Sequence, residues 1–145
     1  MDLLHIPRNL EKLFSDKSGF FKLETGASKN EIRETEMKLN LSFPAQVKLF
    51  YETYNGLMVE NPSLCIHPLE KMKFTAPGKL EFAIFDEIHP VCFDVTSINH
   101  GGQWNIVAEK DFLVTFTMAS FWSNKIWAWL RNRRTMWKEE VQSQP

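Results

Sequence analysis

The sequence predicts an α+β fold: a single domain over residues 1–145, with helices packed around a twisted, mostly antiparallel sheet and a C-terminal helix closing the core. Three observations predict it. Two sharply punctuated helical segments, SKNEIRETEMKLN (28–40) and FPAQVKLFYETYNG (43–56), stand next to each other. A series of short, strand-like segments follows, separated by polar turns instead of helices. An amphipathic helical pattern then runs to about residue 134. Strands joined by short turns favour antiparallel pairing, and no βαβ rhythm is present to build a doubly wound parallel sheet.

The elements follow in order. Leu10, Leu13 and Phe14 at helical spacing predict a short helix over 8–15, and GFFKLETG (19–26) reads as a linker or short extended piece. Ser28 and Glu31 make the S-x-x-E pattern of a capping box, in which the Ser oxygen takes a free backbone N–H and the Glu reaches back to the cap. Such a cap is worth ~1 kcal/mol. The helix it opens runs to about Asn40 and presents Ile32 and Leu39. Glu36 shares their face, so its carboxylate must find a partner or lie at the helix edge.

In the next helix Pro44 suits the first turn, where a missing N–H costs nothing. Val47, Phe50, Tyr51 and Tyr54 follow the i, i+3, i+4, i+7 rule, and Asn55-Gly56 supplies residues that tolerate a left-handed helix end. Strands are then expected at SLCIH (63–67, ended by Pro68), LEFAIFDE (80–87), PVCFDV (90–95), QWNIVAEK (103–110) and DFLVTFT (111–117). Alternation in LEFAIFDE sets Leu80, Phe82 and Ile84 against Glu81, Ala83 and Phe85. NHGG (99–102) reads as a turn. Trp122, Ile126, Trp129 and Leu130 form the buried stripe of the closing helix.

The composition, 43% hydrophobic and 24% charged, is that of an ordinary globular domain, which sets disorder aside. The 13% aromatic content fits either a packed core or a sticky surface. Net charge is −1, which suggests neither nucleic acid nor membrane as a direct partner. Its distribution is uneven. Residues 81–111 hold Glu81, Asp86, Glu87, Asp94, Glu109 and Asp111 against Lys110 alone, whereas Lys125, Arg131, Arg133, Arg134 and Lys138 make the end basic. Residues 1–10 lack the basic-then-apolar pattern of a secretory signal, and no apolar stretch is long enough to span a bilayer, so a reducing cytoplasm is expected.

Catalysis needs a nucleophile with a base, a metal set or a phosphate loop. Cys92 and His89 lie three apart across Pro90, but a cysteine between Val91 and Phe93 reads first as a buried structural thiol. Cys65 and Cys92 form neither a metal pair nor a disulfide framework, and His5, His67, His89 and His100 show no ligand spacing, so no metal or cofactor is expected. NHGG lacks the lysine of a phosphate loop. Asp86, Glu87 and Asp94 at strand ends read as a solvated rim, as an acidic docking surface, or as carboxylates for a hydrolase.

Taken in order, S-x-x-E-I-x-x-x-E-x-x-L and F-P-x-x-x-x-x-F-Y-x-x-Y-N-G resemble the N-terminal signature of the SUKH superfamily, which includes fungal cell-wall-synthesis regulators of the Smi/Knr type and many bacterial immunity proteins. The matching positions are Ile32, Glu36, Leu39, Pro44, Phe50, Tyr51, Asn55 and Gly56. CFDV (92–95) and ASFWSNKIWAWL (119–130) are similar to its later sheet segment and closing helix. The resemblance covers a core of 27–131, between an N-terminal helix and linker (1–26) and a basic helix end and tail (132–145), while 59–80 departs from the family pattern.

The resemblance implies an α+β domain that acts by binding, without catalytic residues, commonly as an immunity protein against a toxin that is often a nuclease. A nuclease binds phosphate and tends to be basic, which an acidic surface would suit. Asp86, Glu87, Asp94 and Glu109 are the expected partner-binding charges, with Trp104 or Trp137 as exposed aromatic anchors. The alternatives are a regulatory scaffold module of the Smi/Knr type and a hydrolase working from acidic strand ends.

Overall fold

The capping box of Ser28 forms as its spacing requires: the Glu31 N–H donates to Ser28 Oγ, and the Ser28 N–H donates to the Glu31 carboxylate. The computed structural model describes residues 3–15 and 19–138, and the final residues of the basic tail, 139–145, lie outside them. Helix α1 (Ile6–Phe14) and strand β1 (Phe20–Thr25) precede α2 (Lys29–Leu39) and α3 (Ala45–Thr53). Seven further strands follow: β2 (Tyr54–Glu60), β3 (Leu64–Ile66), β4 (Lys73–Ala76), β5 (Lys79–Phe85), β6 (His89–Asp94), β7 (Asn105–Val107) and β8 (Leu113–Thr115). The closing helix starts as α4 (Met118–Ser120), widens into a π-helical stretch (Phe121–Ile126) and ends as α5 (Trp127–Asn132).

All strand pairings are antiparallel, in the order β1-β2-β3-β5-β6-β7-β8, with β4 also on β5. β6 runs along one edge of β5 from Lys79 to Phe85. The other edge is shared: β3 pairs with residues 83–85 and β4 with 79–81, with a 3-10 turn (Leu69–Lys71) between them. One sheet face is packed with helices and the other is largely free of them. Phe50 of α3 lies 5.5 Å from Trp122, and Phe121 meets Phe82 and Phe85 at 5.4 and 6.0 Å. The fold class is therefore the α+β arrangement that the sequence predicts, and the stripe of Trp122, Ile126, Trp129 and Leu130 is buried.

The structure corrects the reading at four places. Of the two readings of residues 19–26, the extended piece holds and the linker does not: Phe20–Thr25 form the edge strand β1. The helix expected to run to Asn55-Gly56 stops at Thr53, and Tyr54 onward pairs as β2, because Leu57 to Val59 find β-partners on both sides. Alternation fails in β5 because Phe82 is an extra residue between the pairs Glu81–Cys92 and Ala83–Val91, so Phe82, Ala83 and Phe85 are all buried. Trp104 and Trp137 are not exposed anchors: at 4% and 3% exposure they pack against Phe93 and Phe85, so the aromatic content mostly fills the core.

Glu36 ties the two central helices together. Its Oε2 accepts the N–H of buried Phe43 at 2.7 Å and lies 3.8 Å from Lys48 Nζ. Replacing Glu36 by Ala should cost about 1–3 kcal/mol, because a buried N–H is left without an acceptor. The check is a urea titration, which should show a lower midpoint at unchanged m-value.

Candidate functional site

Five of the signature positions build a frame rather than a ligand surface. Ile32 is buried, Leu39 packs against the core at its edge, Pro44 precedes the first residue of α3, and Phe50 and Tyr51 are completely buried. Three of the signature residues converge on one short piece of chain. The Tyr51 hydroxyl donates to the His67 carbonyl at 2.8 Å, and Asn55 Oδ1 accepts from the Leu69 N–H at 2.9 Å. Gly56, at φ +109°, lies so close that an added Cβ would stand 2.9 Å from the Ile66 carbonyl oxygen. Asn55-Gly56 thus acts as a clamp on residues 66–69, not as a helix stop.

That clamp positions a row of polar groups on the helix-free face of the sheet. Cys65 and His67 are two apart on β3 and its extension, so both face the same way. Cys65 Sγ is 3.7 Å from His67 Nδ1, and His67 Nε2 is 2.7 Å from Glu81 Oε2. An ionised carboxylate only accepts, so in the neutral ring Nε2 carries the hydrogen and Nδ1 accepts from the thiol. Glu81 is buried, placed beside His67 by the β5 bulge, whose Phe82 carbonyl takes the His67 N–H at 2.7 Å. Cys65 also lines a cavity of about 410 Å³, together with Met58, Pro68, Glu70 and Lys71. Burial pushes the Cys65 thiol up, Lys71 pulls it down and Glu81 raises it again.

Sequence reasoning missed this row, although a signal for it existed. Cys-x-His within a segment read as a strand places both side chains on one face. Glu81 could not be assigned to them without the bulge. The pair considered from sequence, Cys92 and His89, does not meet. Cys92 is buried opposite Glu81 with its sulfur 3.6 Å from the Thr75 hydroxyl, while His89 stacks on Trp137 at 4.6 Å and lies 3.4 Å from Glu109. Among the described residues no group of three His, Cys, Asp or Glu is arranged to hold a metal.

The four expected partner-binding charges separate into two places. Asp86 and Glu87 are exposed at the tip of the β5–β6 hairpin, both with left-handed backbone, and Glu109 reaches that end through His89. Asp94 lies at the opposite end of β6, roughly 15 Å or more away at ~3.3 Å per residue. It is half-buried and engaged: Lys79 donates to it at 3.1 Å, and the Thr96 hydroxyl and N–H donate at 2.6 and 3.1 Å. Lys79 also lies 3.2 Å from Asp111. The acidic excess of 81–111 therefore shrinks at the surface, because Lys79 answers two of its carboxylates and Glu81 is buried. The separation also removes Asp94 as a hydrolytic partner for Asp86 or Glu87.

Two comparisons with known proteins bear on identity: no family model matches the chain, and no curated protein matches it. Among the described residues no helix is long and apolar enough to cross a membrane.

Burial pushes the Asp94 carboxyl up, but the hydrogen bonds from Thr96 and Lys79 outweigh it and hold it below its ordinary 3.8. A carboxyl depressed in the folded state contributes stability above the ordinary value, and that contribution is lost as pH falls through the folded one. Stability should therefore fall as pH drops below about 4. Asp94→Asn should flatten that part of the profile, as read from urea midpoints across acidic pH.

Proposed function

We propose that this chain is a protein-binding domain of the SUKH type that docks a basic partner on the β5–β6 hairpin and acts on it by contact, without catalysis; the partner is a nuclease toxin that it neutralises as an immunity protein in the cytoplasm. The observation that carries the reading is the hairpin tip. Asp86 and Glu87 are exposed, Ile88 beside them is 69% exposed, and Glu109 flanks the same end. An apolar centre with charges around it suits a protein interface: apolar contact supplies the burial, and the charges steer encounter and reject wrong partners.

The tip is also well supported from below. The Asp86 N–H donates to the Ser63 carbonyl at 3.0 Å, and the same carbonyl accepts from Trp129 Nε1 at 3.1 Å. His89 stacks on the buried Trp137. A tip held this way needs little ordering when it binds, which preserves affinity. The SUKH side of the reading is supported by the adjoining α2 and α3, the Glu36 bridge and the clamp made by Tyr51, Asn55 and Gly56.

The test is a titration of the purified protein against the toxin domain encoded beside its gene, at low and high salt. Binding in the nanomolar range, about −12 kcal/mol, that weakens with salt is the expected result. Absence of binding would overturn the immunity role and turn the search to a scaffold partner. Reversing the charges at Asp86 and Glu87 should slow association by about tenfold or more at low salt and flatten its salt dependence. Association unchanged in both respects would remove the hairpin from the interface.

A further inference from the structure

We propose that Cys65 is a nucleophilic thiol, with His67 as its base and Glu81 as the positioning residue, that takes an acyl group from an ester or thioester held in the adjoining cavity. The three groups stand in line, thiol to Nδ1 at 3.7 Å and Nε2 to carboxylate at 2.7 Å, the connectivity of an activated nucleophile whose base is oriented by a third group. Nδ1 faces the thiol in its accepting form because Glu81 holds the hydrogen on Nε2. His67 is fixed along its backbone as well, by the Tyr51 hydroxyl on its carbonyl and the Phe82 carbonyl on its N–H.

The surroundings favour a chemical role over a purely structural one. Stability alone would be served as well by an apolar pair at these two positions, since a buried hydrogen-bonded polar pair gains little over hydrophobic packing of the same shape. Burial keeps the resting thiol protonated, so attack requires a base at the S–H, and His67 is there. The cavity offers apolar walls at Met58 and Pro68 and a cation at Lys71, able to meet negative charge developing on a carbonyl oxygen. Cys92 lies on the same sheet face, opposite Glu81, but its polar sulfur contact is the Thr75 hydroxyl rather than an imidazole.

In the step, Cys65 Sγ bonds to the carbonyl carbon while His67 Nδ1 takes the thiol proton. The tetrahedral adduct then expels the alkoxide or thiolate, which recovers that proton from His67. The products are a Cys65 thioester and a free alcohol or thiol. No oxidant or reductant is needed. This chemistry is independent of the hairpin, so a failed toxin titration leaves it untouched.

The probe is p-nitrophenyl acetate, applied to the whole protein, with p-nitrophenolate release followed across pH and the acetyl group located by peptide mass spectrometry. The expected result is acetylation of Cys65 ahead of Cys92, at a rate that levels off with pH before the raised ionisation range of the thiol itself. His67→Asn should slow Cys65 acetylation by about 10²-fold, the lower end for general base catalysis, without altering Cys92. Glu81→Gln should slow Cys65 acetylation without altering Cys92, and Glu81→Asp, which keeps the carboxylate, should restore part of the rate. Equal labelling of the two cysteines, or a wild-type rate climbing without a plateau, would overturn the proposal. Those wild-type readouts decide it even where circular dichroism shows that a variant has not folded.

Discussion

The extra residue at Phe82 is the constraint around which the sheet is organised. β5 is the strand with the most neighbours, taking β6 along one edge and β3 and β4 on the other. A regular strand would send Phe82 and Phe85 to opposite faces. The bulge lets both enter the core, where they meet Phe93, Phe121, Trp129 and Trp137. It also leaves Glu81 on the open face while aiming the Phe82 carbonyl at the His67 N–H. One inserted residue thus serves the packing on one side of the sheet and places a carboxylate beside an imidazole on the other.

The helical signature acts on the same region from the other side. Tyr51, Asn55 and Gly56 reach the short segment that joins β3 to the following 3-10 turn, and each does so by a different means: a hydroxyl on a carbonyl, an amide oxygen on an N–H, and the absence of a side chain. Complete burial raises the Tyr51 hydroxyl well above its ordinary ionisation, and Cys65 adds to that, so it stays a donor throughout the range in which the protein works. Residues 66–69 are therefore held by three residues from the end of α3 and the start of β2.

Charge is divided in the same manner. Lys79 stands just before the acidic stretch in sequence, yet it lies between Asp94 and Asp111 in space. What remains free at the surface gathers around the β5–β6 turn, about one strand length from that ion pair. The molecule so presents two separate features: an acidic hairpin tip with an exposed isoleucine, and a thiol–imidazole–carboxylate row beside a cavity.

Local repetition made much of the fold legible. The S-x-x-E cap of α2, the stripe of Trp122, Ile126, Trp129 and Leu130, and the turn around Asn99 each depend on neighbours a few residues away, and each is found where spacing puts it. Tyr54 fits a helical face by spacing and still enters β2, because pairing with Thr25, far back in the chain on β1, and with β3 just beyond outweighs one further helical turn. The capping of α3 shows the same limit. Pro44 has no side-chain oxygen to offer, and the Gln46 N–H is met by Gln103, from a loop more than fifty residues away. The sequence by itself determined the helices, most of the strands and the α+β class, since those follow from period and capping. Only the tertiary structure decided which carboxylates are neutralised and which histidine meets a thiol, because those depend on registers set by long-range pairing.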